Sequence, residues 1–425
     1  MALALPTPSF NKHYDHMHCS NISTSITVSA NHYKYQHTQH SPITLQETSM
    51  EMEINNNGRV VLHLHHDLLH LLLKLVMFSL FSSVSHCAQS TAMFIFGDSL
   101  IDNGNNNYLA SMAKANYIPY GIDFGLPTGR FCNGLTVTDY GARWLGLPYP
   151  PPYLSLESKT TKILRGVNYA SAAAGILDET GRHYGARVSF NGQILLFEKT
   201  VRIQLPILIP DPIALSQFLA NSMFVINIGS NDYINNYLLP EQYTSSRTYS
   251  PEAFADLLIS SFTRQLTSLY RLGVRKMVIV GVGPLGCIPS QLSMNNSTDG
   301  ECIESVNDIV MTFNRRFMPL LPSFNSSLPG SFIVYQNIFH TFLDMVQNPS
   351  NYGFTEKNQA CCGSGKYGGG LSCLPLQVPC AARDQYIFWD SFHPTQAANA
   401  IIAAGCYSPS ATDCYPISGK QLAQI

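Results

Sequence analysis

Phe94-Ile95-Phe96-Gly97-Asp98-Ser99-Leu100 decides how this chain is read. An apolar run that stops abruptly at Gly-Asp-Ser reads as a buried strand handing a hydroxyl to the edge of a sheet. Far downstream the chain continues Trp389-Asp390-Ser391-Phe392-His393-Pro394. A serine is a weak nucleophile at neutral pH and needs an imidazole to take its proton. The imidazole in turn needs a carboxylate to fix its tautomer and stabilise its charged form. Asp390 and His393 lie close enough in sequence to present both groups from one loop, which Pro394 closes. Taken singly, Gly-Asp-Ser is an ordinary turn and Asp-x-x-His an ordinary surface pair. Together they make Ser99, His393 and Asp390 candidates for nucleophile, base and orienting acid.

Outward from Ser99, apolar strands alternate with amphipathic helices. The alternation predicts an α/β fold with a mostly parallel sheet covered on both faces. Strands are expected at 93–96, 166–170, 223–228, 276–280 and 332–335. The clearest helix is expected over 251–272, with Ser250 as N-cap, Pro251 as first residue and Gly273 as terminator. Further helices are expected over 304–317 and 395–404. The Pro-, Gly- and Tyr-rich segments 116–130 and 146–165 read as loops. Active sites in such sheets gather at the carboxyl ends of strands. Ser99 follows one strand, and Asn231 follows another in Val225-Ile226-Asn227-Ile228-Gly229-Ser230-Asn231-Asp232. An amide there suits a developing oxyanion, although an Asx-turn would use the same residue.

Two motifs point elsewhere and fail. Gly281-Val282-Gly283-Pro284-Leu285-Gly286 has the spacing of a dinucleotide loop, but Pro284 interrupts it and Cys287-Ile288-Pro289 continues as loop instead of opening a helix. The G-x-S-x-G elbow is absent, because Ile101 stands where its second Gly belongs.

Residues 1–90 differ from the rest. Positions 1–60 are rich in His, Asn, Ser and Thr and read as disordered or unprocessed leader. The apolar run from Leu68 to Phe81, followed by Ser82, Ser83 and Ser85, resembles a secretory signal core with cleavage between 85 and 90. A retained signal anchor is the alternative. A signal so far from the first residue suggests a true start near Met50 or Met52. The roughly 335 residues that follow suffice for one large domain, expected over 91–425. A formal net charge of −2 with 12% charged residues offers nothing to nucleic acid or to an acidic membrane surface. Of 11 cysteines, Cys19 and Cys87 fall in the leader. The late cluster Cys361-Cys362, Cys373, Cys380, Cys406 and Cys414 favours disulfides over zinc, since no Cys-x-x-Cys or His cluster accompanies it. Cys287 and Cys302 could also pair. The odd number left makes Cys132 the candidate free thiol. Asn295, Asn296 and Asn325 begin glycosylation sequons.

The mature chain resembles the plant-type GDSL esterase/lipases of the SGNH hydrolase superfamily over about residues 91–405. The likeness rests on Phe96 to Asn106, Pro127 to Gly134, Gly229-Ser230-Asn231-Asp232-Tyr233, Val282 to Cys287, Ala360-Cys361-Cys362-Gly363 and Trp389 to Pro394. It implies a flavodoxin-like three-layer α/β/α sandwich that hydrolyses carboxylic esters without cofactor or metal. By motif, Ser99 would be nucleophile, His393 general base and Asp390 its orienter. The oxyanion hole would use the Ser99 N–H, the Asn231 amide and a backbone N–H at Ala173. The family has Gly there, and Ala serves if its φ is negative; Gly175 is the fallback. The implied protein is secreted, extracellular or in the cell wall, acting on a lipid or small-molecule ester, with no nucleic-acid partner and no membrane span. Acyl transfer on the same site and a non-catalytic binding protein are the competing functions.

Overall fold

Four five-residue strands run parallel in the order β1 (Met93–Gly97), β2 (Met223–Asn227), β3 (Lys276–Val280) and β4 (Phe332–Gln336). A short antiparallel strand, β5 (Cys414–Tyr415), closes the β4 edge. They belong to a computed structural model that describes residues 51–54, 60–63, 90–157 and 160–425. From residue 90 onward these form one compact unit. The four parallel strands are in level register, so Gly97, Asn227, Val280 and Gln336 end on one edge. Strands β1 to β3 are buried at every position. That is why they read as continuous apolar runs and not as alternating ones.

Helices fall into two packed groups. One joins α2 (Phe190–Lys199), α3 (Pro251–Arg271) and α4 (Glu304–Phe317). The other joins α1 (Val137–Trp144), α5 (Ile338–Gln347) and α6 (Gln396–Tyr407). With a sheet buried on both faces between them, the architecture is the expected α/β/α sandwich. Sequence and structure agree at the α3 start, where Ser250 Oγ accepts from the Ala253 N–H, and at its end, where Gly273 adopts φ +102°. The helix expected over 395–404 runs longer, to Tyr407, behind a Thr395 cap.

The strand expected at 166–170 is not formed as such. Its backbone does lie along the free side of β1. The Ile95 N–H donates to Val167 O, and the Tyr169 and Ser171 N–H groups donate to Ile95 O and Gly97 O. Only a single bridge, Ile95 to Asn168, results. The ladder is interrupted because the Gly97 N–H, next in line for Tyr169 O, donates instead to Gln193 Oε1 at 2.8 Å, while Asn168 clamps the segment through the Ala170 N–H and Ile101 O. Counted as the second strand, this segment gives the order 2-1-3-4-5 of flavodoxin-like sheets.

Within the leader, Glu51–Ile54 pairs antiparallel with Val60–His63, where no regular structure is expected. Val60-Val61-Leu62 is a good strand former. The apolar run 68–81 and the cleavage region 85–89 lie outside the described residues. No helix among the described residues is long and apolar enough to cross a membrane. Disulfides join Cys287 to Cys302, Cys361 to Cys380, Cys362 to Cys373 and Cys406 to Cys414, and Cys132 is a buried free thiol.

Candidate active site

Ser99 stands on the turn that ends β1. Gly97 makes the turn possible, since a Cβ there would sit 2.2 Å from Asn227 O on the adjacent strand. The turn is held by the Asp98 N–H donating to that same oxygen and by Asp98 O accepting from the Ile101 and Asp102 N–H groups. The other half of the site comes from the loop after Tyr386–Phe388. There the Trp389 N–H donates to His393 O, and the Phe392 and His393 N–H groups donate to Asp390 Oδ1. The loop rests on a small core of its own, built by Tyr120, Phe131, Ala172, Trp389 and the cysteines 361, 362 and 373.

The two halves meet. Ser99 Oγ lies 2.8 Å from His393 Nε2, and His393 Nδ1 lies 2.8 and 2.9 Å from the two Asp390 oxygens. With the Nδ1–H donating to Asp390, Nε2 is left to accept the Ser99 proton. Asp390 is fully buried. Burial opposes its charge, but neighbouring His393, the Tyr120 hydroxyl and the Phe392 N–H outweigh it and hold the carboxyl below its usual value. Tyr120 OH donates to Asp390 Oδ2 at 2.6 Å. Tyr120 escapes sequence reading because 270 positions separate the pair and nothing local marks it.

Ser99, Ala173 and Asn231 line one cavity. The Ser99 and Ala173 N–H groups have no hydrogen-bond partner among the described residues. Ala173 departs from expectation in its backbone, which is left-handed at φ +63°. The fallback, Gly175, does not line the cavity, and a Cβ on it would collide with Asp232 Oδ1 at 2.6 Å. The Ala173 loop is tied down on both sides. Asn106 Oδ1 accepts from Ser171 Oγ and the Ala172 N–H, and Asp232 accepts from the Ile176 and Leu177 N–H groups. Asp102 takes backbone N–H groups from Gly104, Asn105, Asn106 and Ala172. The density of Asn and Asp in 102–107 was the available signal for this network. Asn231 Nδ2 donates to Ala174 O at 2.9 Å, and its second N–H has no partner among the described residues.

The cavity encloses about 1260 Å³, counting the part open to solvent. Its lining includes the aliphatic and aromatic side chains of Leu285, Ile288, Ile338, Phe342 and Ile402. Met112, Lys114, Tyr117 and Tyr184 also line it. Cys132 is buried, its Sγ on Gly134 O, and burial pushes its thiol up to about 12. The Gly281 to Gly286 run passes into a single 3₁₀ turn, Leu285–Cys287, not a helix N-terminus.

Residues 93–405 match the family model described as GDSL-like lipase/acylhydrolase. The chain belongs to that family. Its relatives include GDSL esterase/lipase 7 of Arabidopsis thaliana, 59% identical over 83% of this chain and 98% of the relative. Two further A. thaliana GDSL esterase/lipases are 49% and 48% identical, over 80% and 79% of this chain and 89% of each relative. For a GDSL-family chain, Ser99 falls in the segment that gives the family its letters, at the strand end where a sheet of this kind exposes a side chain.

Proposed function

We propose that this GDSL-family protein is a secreted hydrolase that cleaves carboxylic esters through a covalent acyl-enzyme. The observation that carries the reading is the continuous hydrogen-bond chain from Ser99 Oγ through His393 to Asp390. Ser99 Oγ attacks the ester carbonyl carbon as its proton passes to His393 Nε2, and Asp390 stabilises the imidazolium. Collapse of the tetrahedral intermediate breaks the ester C–O bond, and His393 returns the proton to the departing alcohol. Water then attacks the acyl-Ser99 carbonyl as its proton passes to His393 Nε2. Collapse breaks the acyl C–Oγ bond, His393 returns the proton to Ser99 Oγ, and the acid leaves. The Ser99 and Ala173 N–H groups and the free Asn231 N–H are the oxyanion donors. Ala173 supplies its N–H from the left-handed conformation that expectation had excluded, at a strain of about 1 kcal/mol or more.

The apolar lining of the cavity supports an acyl group with a hydrocarbon chain, as in lipid esters. Four disulfides support an oxidising, extracellular destination. With it goes removal of a leader within residues 1–90, leaving one hydrolase domain over 91–425. The test is Ser99→Ala against nitrophenyl esters of graded chain length, with a fluorophosphonate probe. Wild-type protein is expected to label once and turn over, and the variant to do neither while keeping its Tm. Turnover by a folded Ser99→Ala protein would remove Ser99 from its role.

A further inference from the structure

We propose that Asn235 is a positioning residue that aims the Asn231 amide at the developing oxyanion, an inference that rests on the acyl-transfer reading above. Asn231 lies on the single helical turn Ser230–Asp232, and Asn235 on the wider turn Tyr233–Tyr237 that follows. Both are more than nine-tenths buried, and both border the cavity that Ser99 enters. Asn235 Nδ2 donates to Asn231 Oδ1 at 2.5 Å. At its other end Asn231 Nδ2 donates to Ala174 O, which can only accept.

The amide is therefore fixed at both ends. One N–H is spent on Ala174, the carbonyl oxygen is spent on Asn235, and the remaining N–H is left for the cavity. A side-chain amide turned by a half rotation would present oxygen where negative charge develops, and the donor would become a repulsive group. Asn235 is itself held from the backbone. Its conformation leaves the helical region (φ −118°, ψ 23°), and its carbonyl accepts the Gly181 N–H at 3.2 Å. Wide turns of this kind recur at functional sites because they re-aim side chains. The adjacent Asn236 serves a different end, with its amide bonded to Thr180 and Ser245 away from Asn231.

Three variants and two double-mutant cycles test this: Asn235→Leu, Asn235→Asp, Asn231→Ala, and each Asn235 change in the Asn231→Ala background. The readouts are kcat, KM and Tm on a soluble short-chain nitrophenyl ester. Asn235→Leu removes the donor and is expected to lower kcat about 3- to 10-fold, the worth of one neutral hydrogen bond, with KM unmoved. Asn235→Asp sets oxygen against oxygen and is expected to lower kcat further than Leu does. With Asn231 already Ala, neither change should cost more, since the two residues act as one unit. Equal or milder loss in Asn235→Asp, or losses that persist undiminished beside Asn231→Ala, would overturn the proposal. So would a KM effect without a kcat effect. Should Asn235→Asp fail to fold, the Leu cycle decides alone. An Asn231→Ala enzyme with wild-type kcat would instead remove Asn231 from the oxyanion hole, a failure of the underlying reading and not of Asn235 alone.

Discussion

Asp98 is the least comfortable residue of the site. Its carboxyl is fully buried beside Ser99, with Oδ1 accepting the Leu100 N–H and Oδ2 without a partner. Burial raises it from 3.8 to about 7, against the Leu100 N–H and nearby His393, which favour the charged form. Because the folded value exceeds the unfolded one, the stability it contributes is complete below pH 4 and is lost as pH climbs through 7. Asp98→Asn keeps the acceptor for Leu100 and removes the buried charge. Its Tm is expected to match wild type near pH 4, to exceed it increasingly between pH 4 and 7, and to hold a constant advantage above that. A pH-independent difference between the two melting curves would contradict this. At this scale the sequence was legible wherever chemistry sits in a local motif, as with Ser99, Asp390 and His393. It was opaque where a side chain's partner is remote, as with Tyr120, or where backbone conformation decides, as with Ala173.

Among the elements, α1 shows why short helices evade periodicity. Val137–Trp144 contains Gly141 and two β-branched residues, a poor helix former by propensity. It is held by a capping box, in which Thr136 Oγ1 accepts the Asp139 N–H while Asp139 accepts the Thr136 N–H. Asp139 is also paired with Arg130 through two hydrogen bonds of 2.7 and 2.8 Å, both side chains buried. Gly141 meets the Tyr407 ring of α6, where a Cβ would stand 3.2 Å away. Truncating one partner of a buried pair leaves the other charge stranded, so Arg130→Met is expected to cost about 3–5 kcal/mol, read by denaturant unfolding. A loss under 1 kcal/mol would mean that the helix does not depend on the pair. Helices α3 and α4 were readable because 21 and 14 residues give the apolar spacing room to repeat. Segment 166–170 forms no regular strand, since apolar content cannot show that the Gly97 N–H will go to the remote Gln193 side chain.

At the scale of the molecule, the sheet is well supported, and the loop that carries Asp390 and His393 depends on a small satellite core. The Cys361 and Cys362 N–H groups donate to Phe388 O and Trp389 O, and their sulfurs lead to Cys380 and Cys373. The Cys362–Cys373 bridge closes a span of 11 residues, worth about 3 kcal/mol on chain-entropy grounds. Replacing both cysteines by Ser is expected to lower Tm and to reduce kcat, because the Trp389 to His393 segment loses its backing. Unfolding that stays cooperative with undiminished kcat would show that the bridge only stabilises. The layer order was legible as a whole, while the satellite core was not, since its members come from four distant stretches of chain.

The span of 294 positions between Ser99 and His393 has a consequence for how the protein is made. All four parallel strands are complete by Gln336, well before the imidazole is synthesised. A nascent chain can thus complete the four parallel strands before the proposed site has its base. A chain that ends before His393 lacks the base of the proposed site, and with it α6, which packs on α1, and β5, which closes the β4 edge.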